Sequence, residues 1–373
     1  MARAPKKMNI AIASPFEYTS PPPKGVIRAP QWLNVYLANQ LTARGHHITL
    51  VAPKGSHTKA RVEHFNMPPF AKQNIYSKIL EEKNFYYKFS TVQLYNAAAY
   101  SELYQKAKEY DLIHAVFTPE LLSFAAHVKT PTLCTVHKIP GDIENFFIKL
   151  YESKKHIYYN ALSKKHRTLF PKSKDNSAIV YNGIELKNYP FGKGSDRLIY
   201  VGRMLPLKGP HIAARVAQKT KKTLDLYGEI PYDHKPYWEK EVKPFLGTHI
   251  RYRGLLAPRA VAKYYRNAKA LLFPIQWNEA FGLVMAEAMA SGTPVVAFNY
   301  GSVPEIVKDG VTGYVVKNEK EMIAAVKKLY IMDPDDYQAM RQACRNHVEK
   351  NFSLERMVDG YEQLYYSIIN KRK

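Results

Sequence analysis

Short apolar runs alternate along this chain with longer amphipathic stretches, and that alternation sets the expected architecture. Residues 8–14 (MNIAIAS) predict a strand. Residues 30–44 predict a helix with apolar positions at Trp32, Val35, Leu37 and Leu41; Gly45 stops it, and 47–52 (HITLVA) predict the next strand. Strand-like runs recur at 111–117 (DLIHAVF), 131–136 (PTLCTV), 177–181 and 197–201 (RLIYV), then at 223–227, 249–253, 269–274, 294–298 and 313–316. Short apolar strands separated by helices are the pattern of parallel sheets covered on both faces. Residues 183–196 carry glycines, a proline and no periodicity, so they read as a linker. Residues 353–370 predict an amphipathic helix, with Leu354, Met357, Tyr361, Leu364 and Ile368 spaced three or four apart.

A chain of 373 residues exceeds what one hydrophobic core usually organises. The expected division is an N-terminal domain over 1–185 and a second over 186–352, with the C-terminal helix 353–373 packing back on the first. Open α/β sheets bind ligands at the carboxyl ends of their strands. Two such domains facing across a cleft would therefore carry function in the loops that follow strands.

Composition narrows the class. No apolar run approaches the 18 residues or so that a membrane-spanning helix needs. The leader MARAPKKMN is basic, but the apolar run after it ends at Pro15, too soon for a secretory signal. With only Cys134 and Cys344, neither a disulfide framework nor a cysteine-rich zinc site is available, and a cytoplasmic protein fits best. The net charge of +23 divides as +13 over residues 1–190 and +10 over the rest, so it is no basic tail. Such a charge favours encounters with nucleotides, phospholipid headgroups, nucleic acid or acidic glycans without choosing among them.

Candidate chemistry falls in the post-strand loops. The strand 197–201 runs into Gly202-Arg203, and Lys208-Gly209 precede a helix starting near Pro210. An Arg that forks two oxygens, a Lys point charge and a helix N-terminus make a diphosphate clamp; two solvated surface cations explain these residues equally well. After the strand ALLFP comes Ile275-Gln276-Trp277-Asn278-Glu279, then Ala280-Phe281-Gly282-Leu283 opening a helix that contains Glu287 within LVMAEAMA. A carboxylate on so apolar a helix needs a partner. A ligand hydroxyl would serve, and so would a structural Arg, with Asn278 as a plain N-cap. Asp333-Pro334-Asp335-Asp336 contains a D-x-D pattern, but Asp then Pro reads as a helix N-cap with Pro at N1, so no metal site is expected.

The string NEAFGLVMAEAMASGTPVVAFNYGSVPEIVKDGVTGYVV resembles the donor-binding core of the family-4 glycosyltransferases, retaining enzymes of the GT-B fold, and its glutamates match their E-x7-E motif. The resemblance extends to VGRMLPLKG, YNGIE, DLIHAVF and TPTLCTVH, nearly the whole chain. It implies an α/β chain of two Rossmann-like, doubly wound domains and a nucleotide-diphosphate sugar as co-substrate, with no further cofactor. Arg203 and Lys208 would hold the diphosphate. Glu287 would bind the ribose hydroxyls and Glu279 the hydroxyls of the transferred sugar. Amides around Phe281, Gly282 and Leu283 would meet the sugar and distal phosphate, and His137 would sit beside the donor sugar. The base is taken as uracil, since no residue contradicts it. One departure stands out. Where the family usually has a double-glycine loop after its first strand, this chain has Ser20-Pro21-Pro22-Pro23-Lys24-Gly25-Val26, leaving Gly25 to keep the close approach.

The acceptor side is read from composition. Residues 142–170 mix Lys149, Lys154, Lys155, Lys164, Lys165 and Arg167 with Phe146, Phe147, Tyr151, Tyr158 and Tyr159, and 83–104 is Tyr-rich. Basic and aromatic mixtures suit an anionic membrane surface or a polyanion. Aromatics packed inward beneath solvating lysines give the same composition. Transfer of a hexose to a lipid-linked, membrane-proximal or glycan acceptor, with peripheral association at the inner face of a membrane, is the first expectation; a nucleic acid or a small soluble acceptor is the alternative, and a non-catalytic binding protein of the same fold is another.

Overall fold

The computed structural model describes residues 6–26, 28–81, 85–170, 176–256 and 260–371. The first five residues of the basic leader, positions 83–84 of the Tyr-rich segment and the last two of 353–373 lie outside them. The chain divides into two compact units: residues 1–162, 167–180 and 358–373 form the first, and 163–166 with 181–357 the second.

The first unit is built on seven parallel strands, β1 (Asn9–Ala13), β2 (His47–Val51), β3 (Arg61–Glu63), β4 (Leu112–Val116), β5 (Thr132–Thr135), β6 (Ile157–Ala161) and β7 (Ser177–Ile179), in the order β3-β2-β1-β4-β5-β6-β7. The second carries six, β8 (Leu198–Val201), β9 (Leu224–Tyr227), β10 (Ile250–Tyr252), β11 (Ala270–Phe273), β12 (Val295–Phe298) and β13 (Gly313–Val316), ordered β10-β9-β8-β11-β12-β13. Both are Rossmann-like parallel sheets. Their central strands are buried along their length, which is why they read as unbroken apolar runs.

Two strands escaped the sequence pattern. β3 is a three-residue edge strand, too short for a periodic signal. β6 lies inside the segment read as a basic, aromatic surface. It buries Ile157, Tyr159, Asn160 and Ala161 between β5 and β7, so the inward-packed account holds for that stretch. Lys164 and Lys165, expected on the first domain, belong to the second unit, where their backbone amides donate to Glu305 at 2.8 Å. The expected linker 183–196 is also corrected. Arg341 donates to the carbonyls of Gly192 and Lys193, Gly194 N–H donates to Arg266, and Ile184 bridges Ser353. Its aperiodicity reflects close backbone packing rather than freedom.

The helix Leu354–Asn370 starts in the second unit and runs into the first. Tyr365 meets Nδ1 of the buried His114 at 2.6 Å, Nε2 of that ring meets Thr135 at 2.7 Å, and Tyr361 meets Thr135 at 3.0 Å and accepts from Asn160 at 3.1 Å. Burial, with the nearby charge of His137 as the lesser cause, lowers the His114 pKa to about 3, so the ring is neutral and serves the network as a hydrogen-bonding group. At the rim, Arg44 reaches Asp359 and Glu362 at 2.7 and 2.5 Å.

Candidate active site

The strand order of the second sheet reverses between β8 and β11, and a ligand crevice opens at the carboxyl ends of strands flanking such a switch point. Arg203 follows β8, and Glu279 lies in the loop after β11. Two hydrogen bonds from Gln276 zip these loops together: its N–H donates to the Leu207 carbonyl at 2.8 Å, and its side-chain amide donates to the Pro206 carbonyl at 2.8 Å. Gly209 permits the approach. Its φ is +73°, and a Cβ there would stand 2.3 Å from the carbonyl of Pro274. The result is a salt bridge of 2.5 Å between Lys208 Nζ and Glu279 Oε2, with both side chains only 17% exposed.

The clamp is anchored from below by a residue that the sequence pattern did not single out. Tyr200, buried in β8, donates its hydroxyl toward the carbonyls of both Arg203 (3.2 Å) and Lys208 (3.3 Å). It fixes the two backbones at one point and leaves the Arg203 side chain exposed to solvent. Nothing marks such a tyrosine in a strand, because its hydroxyl partners are loop carbonyls that the fold alone supplies.

The Glu279 loop is braced from the other side. Ser302 N–H donates to the Glu279 carbonyl at 3.0 Å and the Ser302 hydroxyl to that of Phe281 at 2.8 Å. Gly301, at φ +56°, presses its backbone to where a Cβ would meet the Glu279 nitrogen at 2.3 Å. The Phe281 ring is buried against Tyr181 and Phe352, so its side chain is structural. Gly282 is the N-cap of the helix Leu283–Ala290, and the amides of Phe281, Gly282 and Leu283 find no acceptor among the described residues. Free N–H groups at a helix start favour an anion. Asn278 is exposed and caps nothing.

Glu287 meets tyrosines rather than an Arg. Tyr265 donates to its carboxyl at 3.3 Å, and Tyr189 is a second donor. Burial raises its pKa from 4.5 to about 7, against the opposing pull of those two hydrogen bonds. Between those values the unfolded chain has released a proton that the folded protein keeps, so folding stability falls as pH rises from about 4.5 to 7 and levels off above. Glu287→Gln should remove that slope, worth on the order of 2 kcal/mol, in urea titrations at pH 5 and pH 8. If Glu287 takes the ribose role that the family resemblance implies, affinity for a nucleotide sugar should rise through pH 7 as the carboxyl ionises, and Glu287→Gln should flatten that rise.

Of the remaining expected residues, His137 is half-buried just past β5, and Gly25 lies in an exposed turn after β1 at φ +87°, with Val26 N–H closing on Pro23. A Cβ on Gly25 would touch nothing, so the positive φ, and not crowding within the protein, calls for glycine there. Both belong to the first unit. Asp333 is an N-cap, accepting from the Asp335 amide at 2.8 Å with Pro334 at N1, which accounts for the D-x-D pattern. Among the described residues no cluster of three His, Cys, Asp or Glu side chains is placed to hold a metal ion.

Known proteins agree with this architecture. The model of the glycosyl transferases group 1 matches residues 184–347, and that of glycosyltransferase family 4 matches residues 32–187. Among solved structures, sucrose-phosphate synthase of Thermosynechococcus elongatus superposes with a TM-score of 0.74 at 18% identity, over 98% of this chain and 100% of that one. The Anabaena protein HepE, solved in complex with UDP and glucose, does so with a TM-score of 0.71 at 18% identity, over 96% of this chain and 100% of its own. At such identity the likeness concerns the fold, which is GT-B. An uncharacterized 41.2 kDa protein in the cps region of Klebsiella pneumoniae is 30% identical over 213 residues, 52% of this chain and 56% of that protein. The chain spans about half the length of the curated relatives it matches. With the two family models together running from residue 32 to 347, the chain belongs to the family-4, group 1 glycosyltransferases.

Proposed function

We propose that this protein transfers a hexose from a nucleoside-diphosphate sugar, with UDP as the nucleotide, to an acceptor hydroxyl with retention of anomeric configuration. The observation that supports the reading is the Lys208–Glu279 ion pair at a sheet switch point, joining a post-strand loop that also carries Arg203 to one that leads into a helix start with free amides. The bond from the anomeric carbon to the diphosphate breaks with its electron pair going to the diphosphate. The acceptor oxygen bonds to that carbon on the same face, and its proton passes to the departing diphosphate. Arg203, Lys208 and the amides at 281–283 stabilise the growing negative charge. Glu279 orients the sugar and Glu287 the ribose. The roles of His137 and Gly25, both in the first unit, rest on the family resemblance alone. The UDP complex of HepE supports the choice of base.

Incubation with UDP-glucose, GDP-mannose and other donors, following hydrolysis without acceptor, tests the reading; a non-catalytic binding protein would bind a nucleotide and hydrolyse none. Because protein cations supply the counter-charge, activity should survive exhaustive EDTA treatment. Loss on chelation with recovery on adding Mg²⁺ or Mn²⁺ would contradict this.

For the acceptor, a lipid-linked or membrane-proximal molecule is the preferred reading over nucleic acid. The helix Asp142–Leu150 turns Ile143 (67% exposed), Phe146 (63%) and Leu150 (55%) outward at spacings of three and four, beside the exposed Lys149. No helix among the described residues is long and apolar enough to cross a membrane. Reversible binding to anionic liposomes is expected, weakened by salt and by changing Lys149, Lys154 and Lys155 to Gln, at about 1 kcal/mol for each cation near the surface. Binding of DNA or RNA with none to liposomes would reverse the preference.

A further inference from the structure

Trp277 stands between the two groups that this donor-site reading treats separately. Its indole Nε1 donates to Oε2 of Glu279 at 3.3 Å, the same oxygen that accepts from Lys208 at 2.5 Å. The Lys208 ammonium in turn lies 4.7 Å from the centroid of the indole ring. One side chain therefore holds the carboxylate by its edge and the ammonium by its face. The ring itself is 36% exposed, in a loop where a smaller residue would leave less apolar surface in water. Packing does not account for a tryptophan there; its two polar contacts do.

Lys208 and Glu279 neutralise one another without donor. When donor binds, each must take a new partner, the ammonium a diphosphate oxygen and the carboxylate a sugar hydroxyl. The ammonium has three donors and the ring engages it through charge alone, so a phosphate oxygen can replace Glu279 without displacing the indole. Glu279 keeps the indole N–H after Lys208 leaves it, which prevents a freed carboxylate from swinging into solvent. Resting on the proposed donor site, we infer that Trp277 is the positioning residue that holds Lys208 and Glu279 while they exchange each other for the diphosphate and sugar of a nucleoside-diphosphate hexose.

The two contacts can be separated by mutation. Trp277→Phe keeps a ring face and loses the N–H; Trp277→Ala loses both. UDP affinity by calorimetry, and kcat and KM for the donor that the wild type hydrolyses, are measured on the full chain, with thermal unfolding as a check of folding. Trp277→Phe should hold UDP affinity within about twofold and lose about tenfold in kcat with KM little changed, the effect of one hydrogen bond to a charged group. Trp277→Ala should lose about tenfold in UDP affinity as well. No loss in either variant, or the same losses in both, overturns the inference while the donor-site reading stands. A wild type that binds no UDP and hydrolyses no donor instead removes the reading on which it rests.

Discussion

Glu279→Ala should depress turnover by about a hundredfold or more while leaving the affinity for free UDP undiminished. The carboxylate's proposed partner is the transferred sugar, so its loss removes orientation at the reacting carbon, an effect of several kcal/mol in such sites. Free UDP has no sugar there to miss it. The ion pair sharpens the expectation. Glu279 holds the Lys208 ammonium that the proposed diphosphate would need, so its removal should raise UDP affinity by up to about tenfold, the worth of one charge-assisted contact. Calorimetry with UDP beside steady-state kinetics with the active donor makes the check. Parallel loss of both quantities would place Glu279 on the nucleotide and not on the sugar.

The opposite pattern is expected of the clamp. Arg203→Ala and Lys208→Ala should each weaken UDP by about 10- to 100-fold, since each deletes a charge-assisted hydrogen bond worth about 1.5–3 kcal/mol. Uridine, without phosphates, should bind both variants as it binds wild type. The two substitutions should differ in stability. Arg203 is exposed, and its loss should be nearly neutral to folding. Lys208→Ala leaves Glu279, 17% exposed, with the Trp277 indole in place of an ion-pair partner, and should lower the melting temperature. Unchanged UDP affinity in both variants would remove them from the site.

Eleven of the strands were legible, and the central ones read as apolar runs because parallel strands buried on both faces leave no polar alternation to confuse the signal. β6 was not, since YYN in its middle resembles a polar, aromatic surface until β5 and β7 are known to flank it. The same limit applied at the site. Arg203, Lys208 and Glu279 were visible as charged residues in post-strand loops, and Glu287 as a carboxylate on an apolar helix. Their supports Tyr189, Tyr265, Trp277, Gly301 and Ser302 were not, since each meets a partner distant in sequence, and Tyr200 was not, since its nearby partners are loop carbonyls whose positions only the fold fixes.

By itself the amino-acid order determined the class of fold, the alternation of strand and helix, and which charged residues lie in loops at strand ends, because burial period and turn chemistry are local properties of the chain. Only the tertiary structure decided that Lys208 and Glu279, 71 positions apart, share one oxygen-to-nitrogen contact. It alone decided that Glu287 meets two tyrosine hydroxyls and not a cation, and that the segment 183–196 is packed and not free. Pairing, desolvation and close backbone approach all depend on which strands become neighbours at the switch point, and that is settled by the assembled sheet, not by any stretch of sequence.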